Sequence, residues 1–293
     1  MLYQIESIKT KKNRKLVIIY IIILLLVLAV AIGFGIFMAQ RVHNVQQDAN
    51  QNNNEIEKNG ENDNNAMDNM QAKMKFVKNV DNIYDGKEGK RVFLTFDDGP
   101  SASVTPYILD ILKKYDIKAT FFVLGNRVRD NKDLIKREYK EGHYIANHGY
   151  SHKYSKIYES SNNVLKEYNK TEKEIQNALE KPKYSSNLFR FPGGSIGGPY
   201  DKIKRKTAKT LKDNGIAYLD WDALTNDADG ADTKEKIMKN LKETVGDKNN
   251  VVLLMHDAPD KILTYETLEN VIKYLQEKGY TFKNMYDLIN AEG

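Results

Sequence analysis

The sequence predicts an α/β protein built on a parallel sheet that helices cover. Short apolar runs alternate with amphipathic segments from about Phe76 onward, and this regular alternation is typical of β/α units. Gly142, Gly215 and Gly279 each follow a predicted helix at the position of a C-terminal cap. The pattern fits both an open sheet and a closed barrel. Either arrangement places reactive side chains at the C-terminal ends of the strands.

Seven strands and six helices follow from the hydrophobic periodicity. The predicted strands are Val92–Phe96, Ala119–Leu124, Tyr144–Asn147, Leu188–Phe191, Ala217–Asp220, Val251–Met255 and Tyr280–Lys283. The predicted helices are Val104–Tyr115, Lys132–Glu141, Val164–Leu179, Asp201–Asn214, Lys234–Val245 and Thr264–Lys278.

An uncharged apolar run of 24 residues, 16–39, predicts one transmembrane helix near the N-terminus. At about 1.5 Å per residue this run spans roughly 36 Å, enough to cross a bilayer core of about 30 Å. The alternatives are a buried core helix and the apolar part of a signal peptide, for which Ala29-Val30-Ala31 would be the cleavage site.

The charges that flank this run predict its orientation. Basic residues precede it at Lys9, Lys11, Lys12, Arg14 and Lys15, whereas only Arg41 follows it closely. The positive-inside rule therefore predicts a cytoplasmic N-terminus at 1–15 and an extracellular remainder, in a single-pass protein of the cell membrane.

The chain after the apolar run divides into a linker and one folded domain. Residues 40–75 are rich in Asn, Gln, Asp and Glu, and they contain almost no large apolar side chain. Such a segment buries too little surface to offset its ordering entropy, which predicts a flexible extracellular linker. Residues 76–293 carry the β/α alternation and form the folded domain.

Composition excludes some classes of partner. Of the 293 residues, 41% are hydrophobic and 29% are charged, which suits one sizeable domain with appendages. The net charge of +5 owes much to the N-terminal basic cluster, and the other lysines are interleaved with acids, so we expect no nucleic-acid partner. The absence of cysteine fits an exported protein without disulfides. The sequence makes no prediction of oligomeric state.

Two adjacent carboxylates, Asp97 and Asp98, follow the first predicted strand, in a turn made by Gly99 and Pro100. Two neighbouring acids can divide their tasks, one binding a metal and the other handling protons. An ordinary solvated turn is the alternative interpretation, and only residues elsewhere in the chain can decide between the two.

Two of the five histidines, His148 and His152, lie four residues apart, a spacing that places both imidazoles on one side of a helical turn. Two imidazole nitrogens and one carboxylate make the open three-ligand set of catalytic zinc sites. Taken alone, the pair also fits ordinary loop histidines.

Three further strand ends carry polar groups. Arg190 precedes a glycine turn that begins at Gly193, where backbone N–H groups can approach a ligand and the arginine can pair with a buried carboxylate. Asp220 ends the fifth predicted strand, and Trp221 follows it. The indole ring of Trp221 could pack in the core or at its rim, or it could stack on a sugar. His256 ends a very apolar strand and suits a general acid if an acidic residue orients it. Together the five strand ends supply the parts of a hydrolytic metal site.

These five motifs, in this order, resemble those of the polysaccharide deacetylases, carbohydrate esterase family four, over essentially the whole stretch from Arg91 to Asn290. The resemblance implies a distorted (β/α) barrel of about seven parallel strands, and it makes 76–293 the catalytic domain. It also implies hydrolysis of N-acetyl groups on amino-sugar polymers, or of O-acetyl groups on xylan, with a divalent metal. That metal is usually Zn²⁺, and the same ligands also accept Co²⁺ or other divalent ions.

The resemblance also assigns roles by motif. Asp98, His148 and His152 match the metal ligands, and Asp97 matches the catalytic base that Arg190 orients and tunes.

His256 matches the catalytic acid, with Asp220 as the residue that orients it. The backbone N–H of Gly193 is expected to stabilise the oxyanion, and Leu254 and Trp221 are expected to form the pocket for the acetyl methyl group. The family often carries a bulkier residue, commonly Tyr, where Gly193 stands. We therefore expect the sugar contacts at this position to differ.

The predicted membrane topology limits which polymers can be the substrate. A tether of about thirty residues reaches on the order of 30 Å if coiled, so an outward-facing domain can reach polymer just outside the membrane. We expect N-acetylglucosamine residues of peptidoglycan as substrate, acetate as product and lysozyme resistance as the consequence. Chitin oligomers, exported poly-N-acetylglucosamine and acetylated xylan are alternative substrates. A non-catalytic glycan-binding module and a structural membrane-anchored protein that recruits partners are alternative classes.

Overall fold

The computed structural model describes residues 66–85 and 89–289, together with single positions at 22, 25, 26, 28, 33, 36, 38, 40, 41 and 43. The predicted cytoplasmic segment 1–15, most of the predicted transmembrane helix 16–39 and most of the predicted linker lie outside these residues. Among the residues described, no helix is both long enough and apolar enough to span a bilayer. The transmembrane helix stays a prediction.

Within residues 89–289, eight strands form one sheet, and every pairing between them is parallel. The strands are β1 (Arg91–Asp97), β2 (Thr120–Val123), β3 (Tyr144–Asn147), β4 (Leu188–Phe189), β5 (Ala217–Tyr218), β6 (Ala223–Leu224), β7 (Asn250–His256) and β8 (Thr281–Lys283). All seven predicted strands are therefore present. The two-residue strand β6 is an eighth, which is too short to show a hydrophobic period in the sequence.

The sheet is a parallel half-barrel, an open version of the distorted (β/α) barrel that the resemblance implies. Seven strands follow the order β5-β4-β3-β2-β1-β7-β6, and β8 pairs with β1 in addition. The end strands β5 and β6 are not paired with each other within residues 89–289. Only residues 219–222 separate these two strands, whereas a parallel pair needs a crossover of about a dozen residues or more.

Helices pack around this sheet. They are α1 (residues 66–81), α2 (Thr105–Lys114), α3 (Gly125–Asp130), α4 (Lys132–Lys140), α5 (Tyr154–Ile157), α6 (Ser161–Leu179), α7 (Asp201–Asp213), α8 (Lys234–Val245), α9 (Ile262–Glu277) and α10 (Met285–Ile289). The six predicted helices correspond to α2, α4, α6, α7, α8 and α9, with bounds within three residues of the prediction. The short helices α3, α5 and α10 were outside the predicted pattern.

Helix α1 begins inside the predicted linker, whose last ten residues, 66–75, are helical. Their polar composition predicts disorder, but Ala, Met, Gln and Lys are also good helix formers. The helix then buries Phe76, Val77 and Val80 in the core of the domain, which gives it tertiary support.

Strand β1 shows how the two faces of the sheet are used. Val92, Leu94 and Phe96 pack in a cluster with side chains of α2, α4, α6, α8 and α9, whereas Phe93 packs in a second cluster with α1. Because side chains alternate along a strand, Asp97 lies on the same face as Phe93. Both faces are buried, which explains why this parallel strand is a nearly continuous apolar run, interrupted only by Thr95.

The carboxyl ends of the strands bring the predicted motifs to one edge. In the pairing of β1 with β7, Asp97 lies opposite His256. Strand β3 ends directly before His148, and β4 ends directly before Arg190. The prediction that polar residues gather at the C-terminal edge of the sheet is confirmed.

Candidate active site

The Asp97–Asp98 turn is shaped by its backbone. Asp97 is the buried last residue of β1, and Asp98 follows it with a φ of 72°, a left-handed conformation that Asp adopts more readily than most residues. At Gly99, a Cβ would stand 1.9 Å from Oδ2 of the buried Asp257, so no side chain fits there. Thr105 donates a hydrogen bond of 2.6 Å to the same Asp257 oxygen. Asp257 therefore packs directly against the turn and is itself held in place.

The two histidines of the His-x₃-His pair lie on a loop, so the predicted helical turn is wrong. Residues 148–152 are not helical, and His152 has a φ of 56°. Glu167 of α6 holds this loop, since its Oε2 accepts hydrogen bonds from the backbone N–H groups of Tyr150 (2.9 Å) and Ser151 (2.7 Å). The loop nevertheless brings the two imidazole centroids to 5.2 Å from each other.

The three predicted metal ligands come together. Asp98, His148 and His152 each offer a ligand atom, and these atoms all lie within 4.8 Å of one another. Oδ1 of Asp98 lies 3.4 Å from Nε2 of His152 and 3.7 Å from Nε2 of His148. This oxygen is buried and has no hydrogen-bond partner among the described residues, as expected of an atom that is free to bind a cation. Two imidazoles and a carboxylate are a donor set that fits zinc and similar divalent ions.

His148 is prepared for metal binding by its surroundings. Its Nδ1–H donates a 2.8 Å hydrogen bond to the backbone carbonyl of Arg190, which leaves Nε2 as the acceptor nitrogen. Burial lowers the pKa of His148 to about 3, although the carboxylate of Asp98 acts in the opposite direction. The imidazole is therefore neutral at neutral pH, which is the form that binds metals.

Arg190 contacts Asp97 as predicted. The guanidinium is fully buried, and its Nη1 donates to Oδ1 of Asp97 (2.8 Å) and to Oγ1 of Thr95 (2.7 Å), while Nε donates to the carbonyl of Leu219 (3.0 Å). Burial raises the pKa of the Asp97 carboxyl, and the charge of Arg190 opposes that rise. Arg190 thus fixes the orientation of Asp97 and balances its charge.

His256 is oriented by Asp227, so the prediction of a contact with Asp220 is wrong. Nδ1 of His256 lies 2.9 Å from Oδ1 of Asp227, and Oδ2 of Asp227 accepts from the backbone N–H of His256 (2.8 Å) and from Thr264 (2.7 Å). Burial lowers the pKa of His256, but the hydrogen bond and charge of Asp227, with the charges of Asp97 and Asp98, raise it to about 9.

Asp220 instead holds the glycine turn. Its Oδ2 accepts from the hydroxyl of Ser195 (2.6 Å), and its Oδ1 accepts from the backbone N–H of the same residue (3.0 Å). Lys204 donates to the carbonyl of Gly193 (3.3 Å). In the sequence, Asp220 and Asp227 are both acids that follow short strands. The signal that favours Asp227 is its position three residues after β6, and β6 itself shows no hydrophobic period.

One pocket contains the reactive groups. Its volume is about 430 Å³, and its lining includes Asp97, Asp98, His148, His152 and His256. Gly193, Trp221 and Leu254 also line it, together with Asp227 and Tyr154. A volume of this size matches ordinary small-molecule sites. The structure therefore brings all the predicted site residues to one cavity except Asp220 and Arg190, which support its walls from behind.

Comparison with known proteins matches residues 85–219 to the polysaccharide deacetylase family model. A peptidoglycan-N-acetylglucosamine deacetylase of Bacillus cereus is 33% identical over 222 residues, which cover 74% of this chain and 77% of that protein. This chain belongs to the polysaccharide deacetylase family. Members of this family, carbohydrate esterase family four, are hydrolases that include enzymes acting on carbon–nitrogen bonds. The family model ends before Asp227 and His256, and the structure places both residues in the pocket with the motifs that the model covers.

Other deacetylases agree in sequence and in fold. A peptidoglycan-N-acetylglucosamine deacetylase of Listeria monocytogenes is 32% identical, and this chain spans 41% of its length. A carbohydrate esterase family four esterase of Streptococcus mutans superimposes with a TM-score of 0.64 at 30% identity, covering 71% of this chain and 90% of that one. The catalytic domain of a peptidoglycan N-acetylglucosamine deacetylase from Eubacterium rectale superimposes with a TM-score of 0.62 at 31% identity. The match covers 68% of this chain and 90% of that domain.

Proposed function

We propose that this chain is a zinc-dependent deacetylase that removes acetyl groups from the N-acetylglucosamine residues of peptidoglycan and releases acetate. The observation that carries the proposal is the single pocket that contains Asp97, Asp98, His148, His152 and His256. These side chains are a base, a three-ligand metal set and an acid, which together meet the needs of amide hydrolysis. The names of the Bacillus cereus and Listeria monocytogenes relatives support peptidoglycan as the polymer.

Asp98, His148 and His152 would hold the metal. A divalent cation supplies Lewis acidity, since it polarises a carbonyl oxygen and lowers the pKa of a bound water toward about 7. The neutral imidazole of His148 and the unpartnered oxygen of Asp98 are the features of this chain that suit that ion.

Asp97 takes the proton of the attacking water as the new C–O bond forms. Its carboxylate is oriented by Arg190 at 2.8 Å, and Oδ2 lies 3.7 Å from Nε2 of His148, next to the metal ligands. The raised pKa of Asp97 makes the carboxylate a stronger base than an exposed aspartate.

Gly193 supplies a donor for the oxyanion of the tetrahedral intermediate. Within residues 89–289, its N–H makes no backbone hydrogen bond, and the residue lines the pocket. Its φ of 71° is a left-handed conformation that glycine adopts without strain. Lys204 binds the carbonyl of Gly193 and Asp220 binds the N–H of Ser195, so the turn that begins at this N–H is fixed and the donor is preorganised.

His256 gives a proton to the leaving nitrogen, which departs as a free amine while acetate remains. An amine is too basic to leave as an anion, so the acid must be charged at the working pH. The pKa of about 9 keeps the imidazole protonated at neutral pH. Trp221 and Leu254 provide the apolar wall for the acetyl methyl group.

The same proposal includes a location. Residues 16–39 cross the cell membrane once, with 1–15 in the cytoplasm and the deacetylase domain outside, close to the wall polymer. The uncharged run of 24 residues and the basic residues before it support this topology.

Mass spectrometry of acetyl loss tests the function. Muropeptides, chitin oligomers and acetylated xylan are each incubated with the protein, with and without excess chelator, and zinc is then restored. We expect acetyl loss from the N-acetylglucosamine of muropeptides, which stops with chelator and returns with zinc. Full activity in excess chelator contradicts the metal mechanism. Glycan binding without any acetyl loss supports a non-catalytic binding module instead.

A further inference from the structure

Tyr154 lines the pocket but takes no part in the proposed chemistry. It begins α5, directly after the loop that carries His148 and His152, and its ring centroid lies 5.4 Å from that of His152. The side chain is 40% exposed and lines the same pocket as Asp97 and His256. Its hydroxyl makes no hydrogen bond to any residue that the structure describes. A polar group is therefore free at the wall of the pocket.

The Tyr154 hydroxyl occupies the space beside Gly193. A Cβ at position 193 would stand 2.6 Å from the hydroxyl oxygen and 3.2 and 3.3 Å from Cζ and Cε2 of the ring. Real Cβ atoms essentially never stand 2.6 Å from another heavy atom, so a side chain at 193 and the ring of Tyr154 compete for one volume. The glycine therefore leaves room for Tyr154 to reach the wall next to the proposed oxyanion donor.

The ring of Tyr154 is held in this place by a second tyrosine. Tyr158 packs edge-on against it, with centroids 5.8 Å apart at an interplanar angle of 71°. The buried hydroxyl of Tyr158 donates to the carbonyl of Pro192 at 2.7 Å, directly before Gly193. The two tyrosines thus connect α5 to the glycine turn, and the Tyr154 hydroxyl does not depend on a flexible side chain for its position.

We propose that Tyr154 positions the substrate by a hydrogen bond between its hydroxyl and the N-acetyl sugar that enters the pocket, with its ring as one wall of the sugar site. This inference rests on the proposed function, because it takes an N-acetylated sugar as the ligand. Polar groups placed on an otherwise apolar wall fix the orientation of a bound ligand, and a tyrosine supplies both the wall and the polar group. Asp97, Gly193 and His256 carry out the chemistry, whereas Tyr154 holds the sugar in register with them.

Steady-state kinetics on an N-acetylglucosamine oligomer test the role. Because a hydrogen bond to a sugar is made in the ground state and in the transition state alike, Tyr154→Phe should raise KM about 3- to 10-fold and leave kcat within about 2-fold. Tyr107→Phe is the control, since Tyr107 is an exposed tyrosine on α2 that does not line the pocket. An unchanged KM in an active Tyr154→Phe enzyme overturns the inference.

A double-substitution cycle tests the shared volume. Gly193→Ala should lower kcat/KM at least about 10-fold more in the wild-type background than in the Tyr154→Ala background, because the backbone strain is the same in both and only the clash differs. Equal losses in the two backgrounds contradict the competition between the two side chains.

A binding measurement separates this inference from the proposed function. The affinity of the oligomer is measured for Asp97→Asn and for Asp97→Asn with Tyr154→Phe, neither of which needs turnover. We expect a 3- to 10-fold weaker Kd on loss of the hydroxyl, a range that corresponds to one neutral hydrogen bond of about 1 kcal/mol. If the wild type releases no acetate but binding still depends on Tyr154, the proposed function fails and the inference stands. If binding is the same in both variants, the inference fails.

Discussion

Nδ1 of His256 lies 2.9 Å from Oδ1 of Asp227, so a residue of the loop after β6 orients the histidine that ends β7. The buried carboxylate of Asp227 also accepts hydrogen bonds from Thr264 and from the backbone N–H of His256. The proton on His256 is therefore stabilised by a fixed negative charge. Loss of that charge has a direct effect on the pH dependence of the proposed reaction.

Asp227→Asn should move the alkaline limb of the pH–rate profile to lower pH. The acid form of His256 is required, and it is lost as pH rises through its pKa of about 9. Without the Asp227 charge, burial is the dominant influence and lowers that pKa, so activity at pH 8 should fall more than activity at pH 6. Asp220→Asn is the matched control, because Asp220 contacts Ser195 and not His256. A limb that moves in Asp220→Asn and not in Asp227→Asn contradicts the assignment.

Asp97→Asn should keep the metal and lose turnover. The substitution removes the proposed base but none of the three ligands, so we expect kcat to fall about 10²- to 10⁴-fold while zinc content stays near one per chain. Asp98→Asn, one residue away, should instead lower zinc affinity, because Asp98 is the carboxylate of the ligand set. Zinc content measured by mass spectrometry of the purified variants decides between the two carboxylates. Loss of zinc in Asp97→Asn, with zinc retained in Asp98→Asn, would reverse their roles.

The sequence predicted the sheet and most of the pocket because both depend on local patterns. Strand β1 is a nearly continuous apolar run since both of its faces are buried, and the polar residues directly after it must lie at the edge of the sheet. The same logic places His148, Arg190 and His256 at that edge from their positions at strand ends alone.

The parts that the sequence did not predict depend on tertiary contacts. The i, i+4 spacing of His148 and His152 indicated a helical turn, but Glu167 of a distant helix shapes a loop that brings the rings together. The partner of His256 is one of several acids after short strands, and nothing local distinguishes Asp227 from Asp220. Strand β6 was likewise not predicted, because two residues are too few to show a hydrophobic period.

Glu167→Gln should weaken metal binding without removing a ligand. The two oxygens of Glu167 accept three hydrogen bonds from residues 150 and 151, and an amide in the same place can accept at only one of its two ends. Substitution of residues that orient metal ligands typically lowers metal affinity 10- to 100-fold, and we expect a loss of zinc affinity in that range. Competition with a fluorescent zinc chelator measures it. Glu174→Gln, two turns further along the same helix and at a residue with no hydrogen bond to residues 148–152, should bind zinc as the wild type does, and equal affinity in both variants contradicts a positioning role for Glu167.

The buried carboxyl of Glu138 should make the folding stability depend on pH, and this effect does not involve the catalytic residues. Its carboxyl is buried in α4, and neither oxygen has a hydrogen-bond partner among the described residues. Burial, with the charge of Asp257, raises its pKa well above the ordinary 4.5. Above that ordinary value the unfolded chain loses this proton while the folded chain keeps it. The folded state then binds more protons, so the free energy of unfolding falls as pH rises, by up to about 1.4 kcal/mol per pH unit.

Urea unfolding between pH 5 and pH 8 measures this effect. Glu138→Gln carries no proton to lose, so its free energy of unfolding should fall less steeply with pH than that of the wild type, and Glu174→Gln should keep the wild-type slope. Asp257, whose pKa burial raises to about 7, and His256, whose pKa is raised to about 9, both contribute to the slope that remains in Glu138→Gln. If Glu138→Gln and the wild type lose stability equally with rising pH, then Glu138 ionises at its ordinary pKa in the folded protein and its buried carboxyl has a partner such as a bound cation.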